Sequence, residues 1–365
     1  MQKSCFSYPV EFVEDAFGKS EVLAKTLREI TGSDEPKVMI VADVNVVQHL
    51  EGLGSKIGRY VQEHGILISG NPVVIGGGEK IKADNLQSAL KVVSEMLSAK
   101  VGCNDVVLAI GGGTILDVAG YAAAQTRGGV KLVRMPTSPA AMMDGAYADY
   151  AAVDSATVKD ALRVPSVPAA VVIDPCLASS VLDGVWKGGI SEVVRLAIAL
   201  DAGLLKKAEG LVETYIARDG AALLEIAKAV YAVRAKKGGT PLAQWVAFRL
   251  EAMSGFKLPH GYAVSIGLCV DLEYAVAKGF LKPACRERAI ALLKTCGALD
   301  ALNHSRHLLC QTESLLFGLD AWALSSGSAK ITVPCGVGKS ADDPEPDREV
   351  LAKIMKDLSV VGAAD

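Results

Sequence analysis

The chain has 365 residues, half of them apolar and 22% charged, a size and balance that suit two globular domains. A net charge of −3, the lack of a basic tract and an aromatic content of 5% exclude nucleic acid as a partner. Mean hydropathy is positive, +0.31, yet no apolar run approaches the roughly 18 residues that span a bilayer, so no membrane association is expected.

The first dozen residues lack the charged-then-apolar order of a secretion signal. The eight cysteines, at 5, 103, 176, 269, 285, 296, 310 and 335, are widely spaced with no C-x-x-C pair. They are expected as small buried residues in a reducing cytoplasm. The apolar surplus would suit a subunit interface, and a homodimer is expected.

Along the chain, residues 38–42 form a short apolar run closed by Asp43. The segment 44–64 is expected as one helix, with His49 and His64 on its surface. Residues 66–68 and 73–75 are short strand candidates, the second closed by Gly76-Gly77-Gly78. Leu86, Leu90, Val93 and Leu97 recur at three- and four-residue steps and predict a helix over 85–99. Residues 105–110 form a buried strand, interrupted by Gly111-Gly112-Gly113 just before another helix. Further strands are expected at 132–135 and 169–174. This strand–helix alternation implies a doubly wound, mainly parallel, Rossmann-like sheet. After residue 175 the pattern turns helical, with one late β-rich run at 330–333. The expected division is an α/β domain over 1–175 and a helical domain over 176–365, with 338–346 as a surface loop.

Three glycines between a strand and a helix make a phosphate cradle, because the backbone can approach closely and the helix start presents free N–H groups. A bare Gly-Gly-Gly is more often only a tight turn. Asp43 and Asn45 after the first strand could grip an adenosine, and Gly77-Gly78-Glu79-Lys80 follows another strand end. Together these outline a nucleotide crevice at the carboxyl ends of successive strands. Gly336-Val337-Gly338-Lys339-Ser340 ends like a P-loop, but Val333 stands where its first glycine belongs and no helix pattern follows.

Asp43-x-Asn45, Gly-Gly-Glu79-Lys80, the triple glycine with Asp117, Arg127-Gly128, and Met135-Pro136-Thr137-Ser138 with Asp144 follow one another in order. Gly188-Gly189-Ile190-Ser191-Glu192-Val193-Val194-Arg195 and His260-Gly261-Tyr262-Ala263-Val264 come later. This series resembles the landmarks of the dehydroquinate synthase-like sugar-phosphate cyclases along nearly the whole chain. Pro241-Leu242, Gln244-Trp245 and Arg249-Leu250-Glu251 look most like the branch near 2-epi-5-epi-valiolone synthases.

The resemblance implies an N-terminal NAD-binding sheet domain, a C-terminal helical domain holding metal and substrate, and NAD as a recycled redox catalyst on a sugar phosphate or polyol. It assigns NAD to Asp43, Asn45, Glu79, Lys80, Gly111, Gly112, Gly113, Asp117, Thr137 and Ser138. It places a divalent metal, zinc or cobalt, at Glu192 and His260, with Gln244 where the family has a histidine. Read alone, Glu192 is a first-turn carboxylate facing a helix dipole and His260 a satisfied polar histidine. Lys159, Arg195 and Asp144 would be catalytic, and Arg127, Asp144, Lys159 and Arg195 would contact substrate.

The departures are specific. Phe248 replaces a second family histidine, Tyr262 an acid, Tyr150 a lysine, Asp160 an asparagine, and Ala321-Trp322 a lysine pair. His304 and His307 match no landmark. Two alternatives therefore stand beside an active cyclase: an impaired paralogue serving as partner subunit of an intact cyclase, and an NAD-dependent polyol dehydrogenase.

Overall fold

The computed structural model describes residues 6–360, so Cys5 lies outside the described residues. The chain divides into two compact units: residues 6–156 with 160–182, and residues 157–159 with those from 183 onward.

The first unit contains β1 (Val10–Phe12), β2 (Lys37–Asp43), β3 (Leu67–Ile68), β4 (Val73–Ile75), β5 (Val106–Gly111), β6 (Lys131–Pro136), β7 (Tyr150–Val153), β8 (Leu162–Pro165) and β9 (Ala170–Ile173). Seven of these form one sheet in the order β1-β9-β6-β5-β2-β3, with β4 also paired to β2. Every pairing in it is parallel. Helices cover both faces of such a sheet, which is why β5 is an unbroken apolar run buried at every position. From β2 the chain first builds outward to β3 and β4, then crosses back to β5 and on to β6 and β9. The order thus reverses between β2 and β5, and the carboxyl ends of those two strands flank the crevice where doubly wound folds bind ligands.

Three local expectations are corrected. The segment 44–64 is two helices, Val44–His49 and Leu53–Glu63, because Gly52 at φ +73° turns the chain between them. β1 (Val-Glu-Phe) and β8 (Leu-Arg-Val) alternate over only three residues, too few to announce a strand, and β7 (Tyr-Ala-Ala-Val), paired antiparallel to β8, does not alternate. Cys103, Cys176, Cys310 and Cys335 are exposed, while Cys269 and Cys296 are buried; all the described cysteines are free.

The second unit is helical, centred on His260–Ala277, which is apolar all round and accordingly buried on nearly every face. The late β-rich run becomes β10 (Ile331–Gly336), and the expected loop over 338–346 contains a strand, β11 (Lys339–Asp343), paired to it antiparallel. Lys339-Ser340-Ala341-Asp342 is exposed and lacks β-branched residues, so only pairing makes it a strand. Gly338 has φ +80°, and a Cβ there would meet the Ala202 nitrogen at 2.5 Å. This glycine serves a packed hairpin turn and cradles no phosphate. Among the described residues no helix is long and apolar enough to cross a membrane.

Candidate functional site

At the carboxyl edge of the sheet, Asp43 ends β2 and Gly111 ends β5. Asp43 caps the next helix by accepting the Asn45 N–H at 2.8 Å. Burial raises its pKa against that hydrogen bond. Gly77 is held to glycine here, since a Cβ would lie 2.3 Å from an Asp43 carboxylate oxygen. Asn45 and Lys80 are exposed.

The helix Gly113–Gln125 begins at Gly112 with no side-chain cap. The Ile115 N–H donates to the Gly112 carbonyl at 2.9 Å, and the uncapped first turn carries the positive end of the dipole. Space beside Gly113 is open, whereas Gly111 is needed for packing, its Cβ position lying 2.4 Å from Ile115. Thr137 bonds through its N–H to the Gly111 carbonyl at 3.0 Å. Ser138 caps the short helix Pro139–Met143. Gly145 lies against Gly113, with 3.6 Å from its Cβ position to the Gly113 Cα, so Asp144 stands beside the glycine turn. Glu79 accepts from the Thr114 hydroxyl at 3.4 Å.

Asp117 is engaged within the protein. Its carboxylate accepts from Lys82 Nζ at 2.6 Å, and Lys82 also reaches Asp160 at 2.9 Å and Asp154 at 3.7 Å. Burial disfavours the Lys82 ammonium, but these carboxylates outweigh it and hold its pKa well above the ordinary range. The Tyr150 hydroxyl donates to Asp160 at 3.3 Å. Arg163 Nη2 also lies 3.6 Å from Asp160 Oδ2, so two cations face three carboxylates in this corner, Asp160 being one of the three. Arg127 is exposed in a left-handed turn (φ +49°) between the end of helix Gly113–Gln125 and the start of β6. It lies at the amino edge of the sheet, opposite the triple glycine, and this unit does not bring it to the other assigned residues.

In the second unit, Gly188 and Gly261 bring two chain segments into backbone contact: a Cβ on Gly261 would lie 2.4 Å from the Gly188 carbonyl oxygen. Glu192, one turn beyond Gly188 in the helix Ile190–Leu200, and His260, which opens His260–Ala277, meet because of that approach. His260 Nε2 lies 3.2 Å from Glu192 Oε1. That oxygen is fully buried, and the imidazole is the polar group facing it. The other oxygen, Oε2, accepts from Arg195 Nε at 2.8 Å and from a second guanidinium nitrogen, while the third donates to the Thr240 carbonyl. Arg195 is completely buried.

His260 Nδ1 is 2.7 Å from Glu251 Oε1, and Glu251 Oε2 is 2.8 Å from Lys159 Nζ. Burial lowers the imidazole pKa, but Glu251 and Glu192 outweigh it and hold it well above its usual range. Lys159 and Arg195, expected at the substrate, are thus both bound to carboxylates of this network. Gln244 opens the helix Gln244–Met253. It shares a face, at steps of four and three, with Phe248, whose ring is 6.4 Å from that of His260, and with Glu251. It is half-buried.

Two ligands each about 2.0–2.1 Å from one zinc ion stand roughly 3.3 Å apart, close to the observed 3.2 Å. The carboxylate behind Nδ1 is the partner that a metal-ligating imidazole ordinarily has. Among the described residues no group of three or more His, Cys, Asp or Glu is arranged for a metal; Glu192 and His260 supply two donors at a separation that fits one divalent cation, and Gln244 lies on the helix face of Phe248 and Glu251. His304 and His307 are exposed on the helix Asp300–Leu309.

Sequence reasoning did not assign roles to Lys82, Thr240 or Glu251. Glu251 was accessible in principle, being three residues after Phe248 on the face of Gln244. Lys82 follows Glu79 by one turn of a short 3-10 segment, Glu79–Ala83.

The descriptions "3-dehydroquinate synthase N-terminal" and "3-dehydroquinate synthase C-terminal" match residues 72–184 and 242–312, together about half of the chain. The 3-dehydroquinate synthase of Pyrobaculum neutrophilum is 27% identical over 292 residues, covering 74% of this chain and 84% of that protein. In fold, the chain is similar to 2-epi-5-epi-valiolone synthase from Streptomyces hygroscopicus subsp. jinggangensis 5008, solved with NAD+ and Zn2+ (TM-score 0.84, 21% identity, 97% of each chain). It is also similar to a 2-deoxy-scyllo-inosose synthase complexed with carbaglucose-6-phosphate, NAD+ and Co2+ (TM-score 0.72, 18% identity, 98% and 99% covered).

Proposed function

We propose, since the chain belongs to the 3-dehydroquinate synthase family, that it is an NAD-dependent carbon–oxygen lyase of the cyclase type, converting a sugar phosphate or polyol to a cyclitol-type product. The observation that carries this reading is the Glu192–His260 pair: a fully buried carboxylate oxygen 3.2 Å from an imidazole nitrogen, the separation of two ligands on one ion.

When bound, NAD supplies a reversible hydride acceptor and a zinc or cobalt ion supplies Lewis acidity at a carbinol oxygen. Glu192, His260 and Gln244 would hold the ion. Arg195 fixes the second oxygen of Glu192, leaving one free to ligate. The uncapped start of the Gly113–Gln125 helix receives the pyrophosphate. Asp43 accepts from the ribose, and Gly77 leaves room for its carboxylate. Asp144, whose neighbour Gly145 lies against Gly113, would contact the substrate. Asp117 acts through Lys82.

The test is incubation with NAD and sedoheptulose 7-phosphate. Phosphate release with no net NADH supports the cyclase. Steady NADH accumulation with an unphosphorylated polyol and no phosphate release would replace it with the dehydrogenase. Gln244 and the acidic surplus around Lys82 favour a second reading, an impaired paralogue that pairs with an intact cyclase. Protein that binds no zinc or cobalt and releases no phosphate alone, but raises the turnover of such a cyclase, would establish that instead. A homodimer in a reducing cytoplasm belongs to the main proposal, supported by the free cysteines and the apolar surplus, and sedimentation measures its mass.

A further inference from the structure

We propose that Glu251 and Lys159 together are positioning residues that set which nitrogen of His260 is offered to a ligand. Glu251 is completely buried, and its two oxygens face opposite partners: Oε1 toward His260 Nδ1 at 2.7 Å, Oε2 toward Lys159 Nζ at 2.8 Å. The Lys159 side chain is only 6% exposed. Both ring nitrogens face acceptor-only carboxylates, and the nearer one, Glu251 at 2.7 Å against Glu192 at 3.2 Å, holds the single proton of the neutral ring on Nδ1. In the neutral ring Nε2 then keeps its lone pair, directed toward the side of Glu192 Oε1. Lys159 can only donate, and its ammonium, 2.8 Å from Oε2, occupies the oxygen that would otherwise let the carboxylate rotate.

This arrangement gives Lys159 a task that its sequence neighbours do not suggest. It also makes the effect of Glu251→Gln depend on the lysine. With Lys159 present, the carbonyl of the substituted amide would have to face the ammonium, turning its NH2 toward Nδ1. The imidazole proton would then move to Nε2, removing the lone pair. Without the lysine the amide is free to flip, and its carbonyl can again accept from Nδ1–H. A merely structural pair would show no such dependence.

The inference rests on the metal reading for its first measurement and stands apart from it for the second. In the full-length protein, Co2+ affinity is followed by its visible absorption for the parent, Glu251→Gln, and Glu251→Gln with Lys159→Met. The single variant is expected to bind about 10- to 100-fold more weakly, as partners behind a ligating histidine generally do on mutation, and the double variant to recover most of that loss. A single variant within twofold of the parent, or a double variant no better than the single, overturns the proposal. The second measurement is the imidazole 15N spectrum of metal-free protein, taken alkaline enough to leave His260 neutral and assigned by its loss in His260→Asn. The parent and the double variant should show the proton on Nδ1, and Glu251→Gln should show it on Nε2. The same tautomer in all three overturns the proposal, whether or not the parent binds cobalt. A parent that binds no cobalt but shows the tautomer switch sinks the metal reading and upholds this one.

Discussion

Gly261→Ala tests the contact that assembles the centre. A Cβ at 261 would lie 2.4, 2.5 and 2.8 Å from the oxygen, carbon and Cα of Gly188. All three are backbone atoms, so no side chain can rotate away. Reaching ordinary contact requires the two segments to separate by about 1 Å, and such overpacking costs about 1–3 kcal/mol. Glu192 follows Gly188 by one turn and His260 precedes Gly261, so the same shift widens the 3.2 Å between Oε1 and Nε2. It becomes about 4 Å, beyond the roughly 3.3 Å that one tetrahedral ion tolerates. The expected result is a lower urea midpoint together with at least tenfold weaker zinc binding, measured by competition with a chromophoric chelator. NAD affinity, which depends on residues of the α/β unit, should stay within twofold. A variant with parental stability and parental zinc affinity would refute the claim that this glycine contact sets the pair.

Gln244→His should strengthen zinc binding at least tenfold in the same competition assay, because imidazole is a better zinc donor than a neutral amide; unchanged affinity would mean that position 244 does not face the ion. Asp43→Asn keeps an acceptor for the Asn45 N–H and should preserve stability while weakening NAD about tenfold, the effect of one lost charge-assisted hydrogen bond. Asp43→Ala should lose the helix cap as well, about 1 kcal/mol; equal NAD affinity in parent and Asp43→Asn removes Asp43 from the cofactor site. Asp271 accepts from the Ala243 N–H at 2.8 Å and Trp245 Nε1 at 3.0 Å, yet burial pushes its carboxyl up to about 7. Its folded value lies above the unfolded one of about 3.9, so its contribution is greatest below that pH and is lost as pH rises toward 7, on the order of 2–3 kcal/mol between pH 5 and 7. Asp271→Asn should abolish that slope while costing about 1–3 kcal/mol at pH 5 for a donor left unpaired; urea midpoints at the two pH values, parent against variant, decide it.

The parallel sheet and the glycine turns at its carboxyl edge were legible because they are written locally. Buried strands appear as short apolar runs, helices as three- and four-residue steps, and the turns between them as glycines. Asp43, the triple glycine and Asp144 could be placed at one edge for that reason. The 44–64 helix was misread where one left-handed glycine, Gly52, interrupts an otherwise helical pattern. β11 was missed because its polar, exposed residues become a strand only against β10.

The amino-acid sequence by itself determined the fold class, the crevice at the carboxyl ends of β2 and β5, and the presence of Glu192 and His260 as candidate ligands. Only the tertiary structure decided what the cations do: Lys82 holds Asp117, Asp154 and Asp160, Arg195 holds Glu192, and Lys159 holds Glu251. The physical reason is range. Helix and strand periods are set by near neighbours, whereas a buried ammonium or guanidinium goes to whichever carboxylate the packing of distant segments brings within its reach.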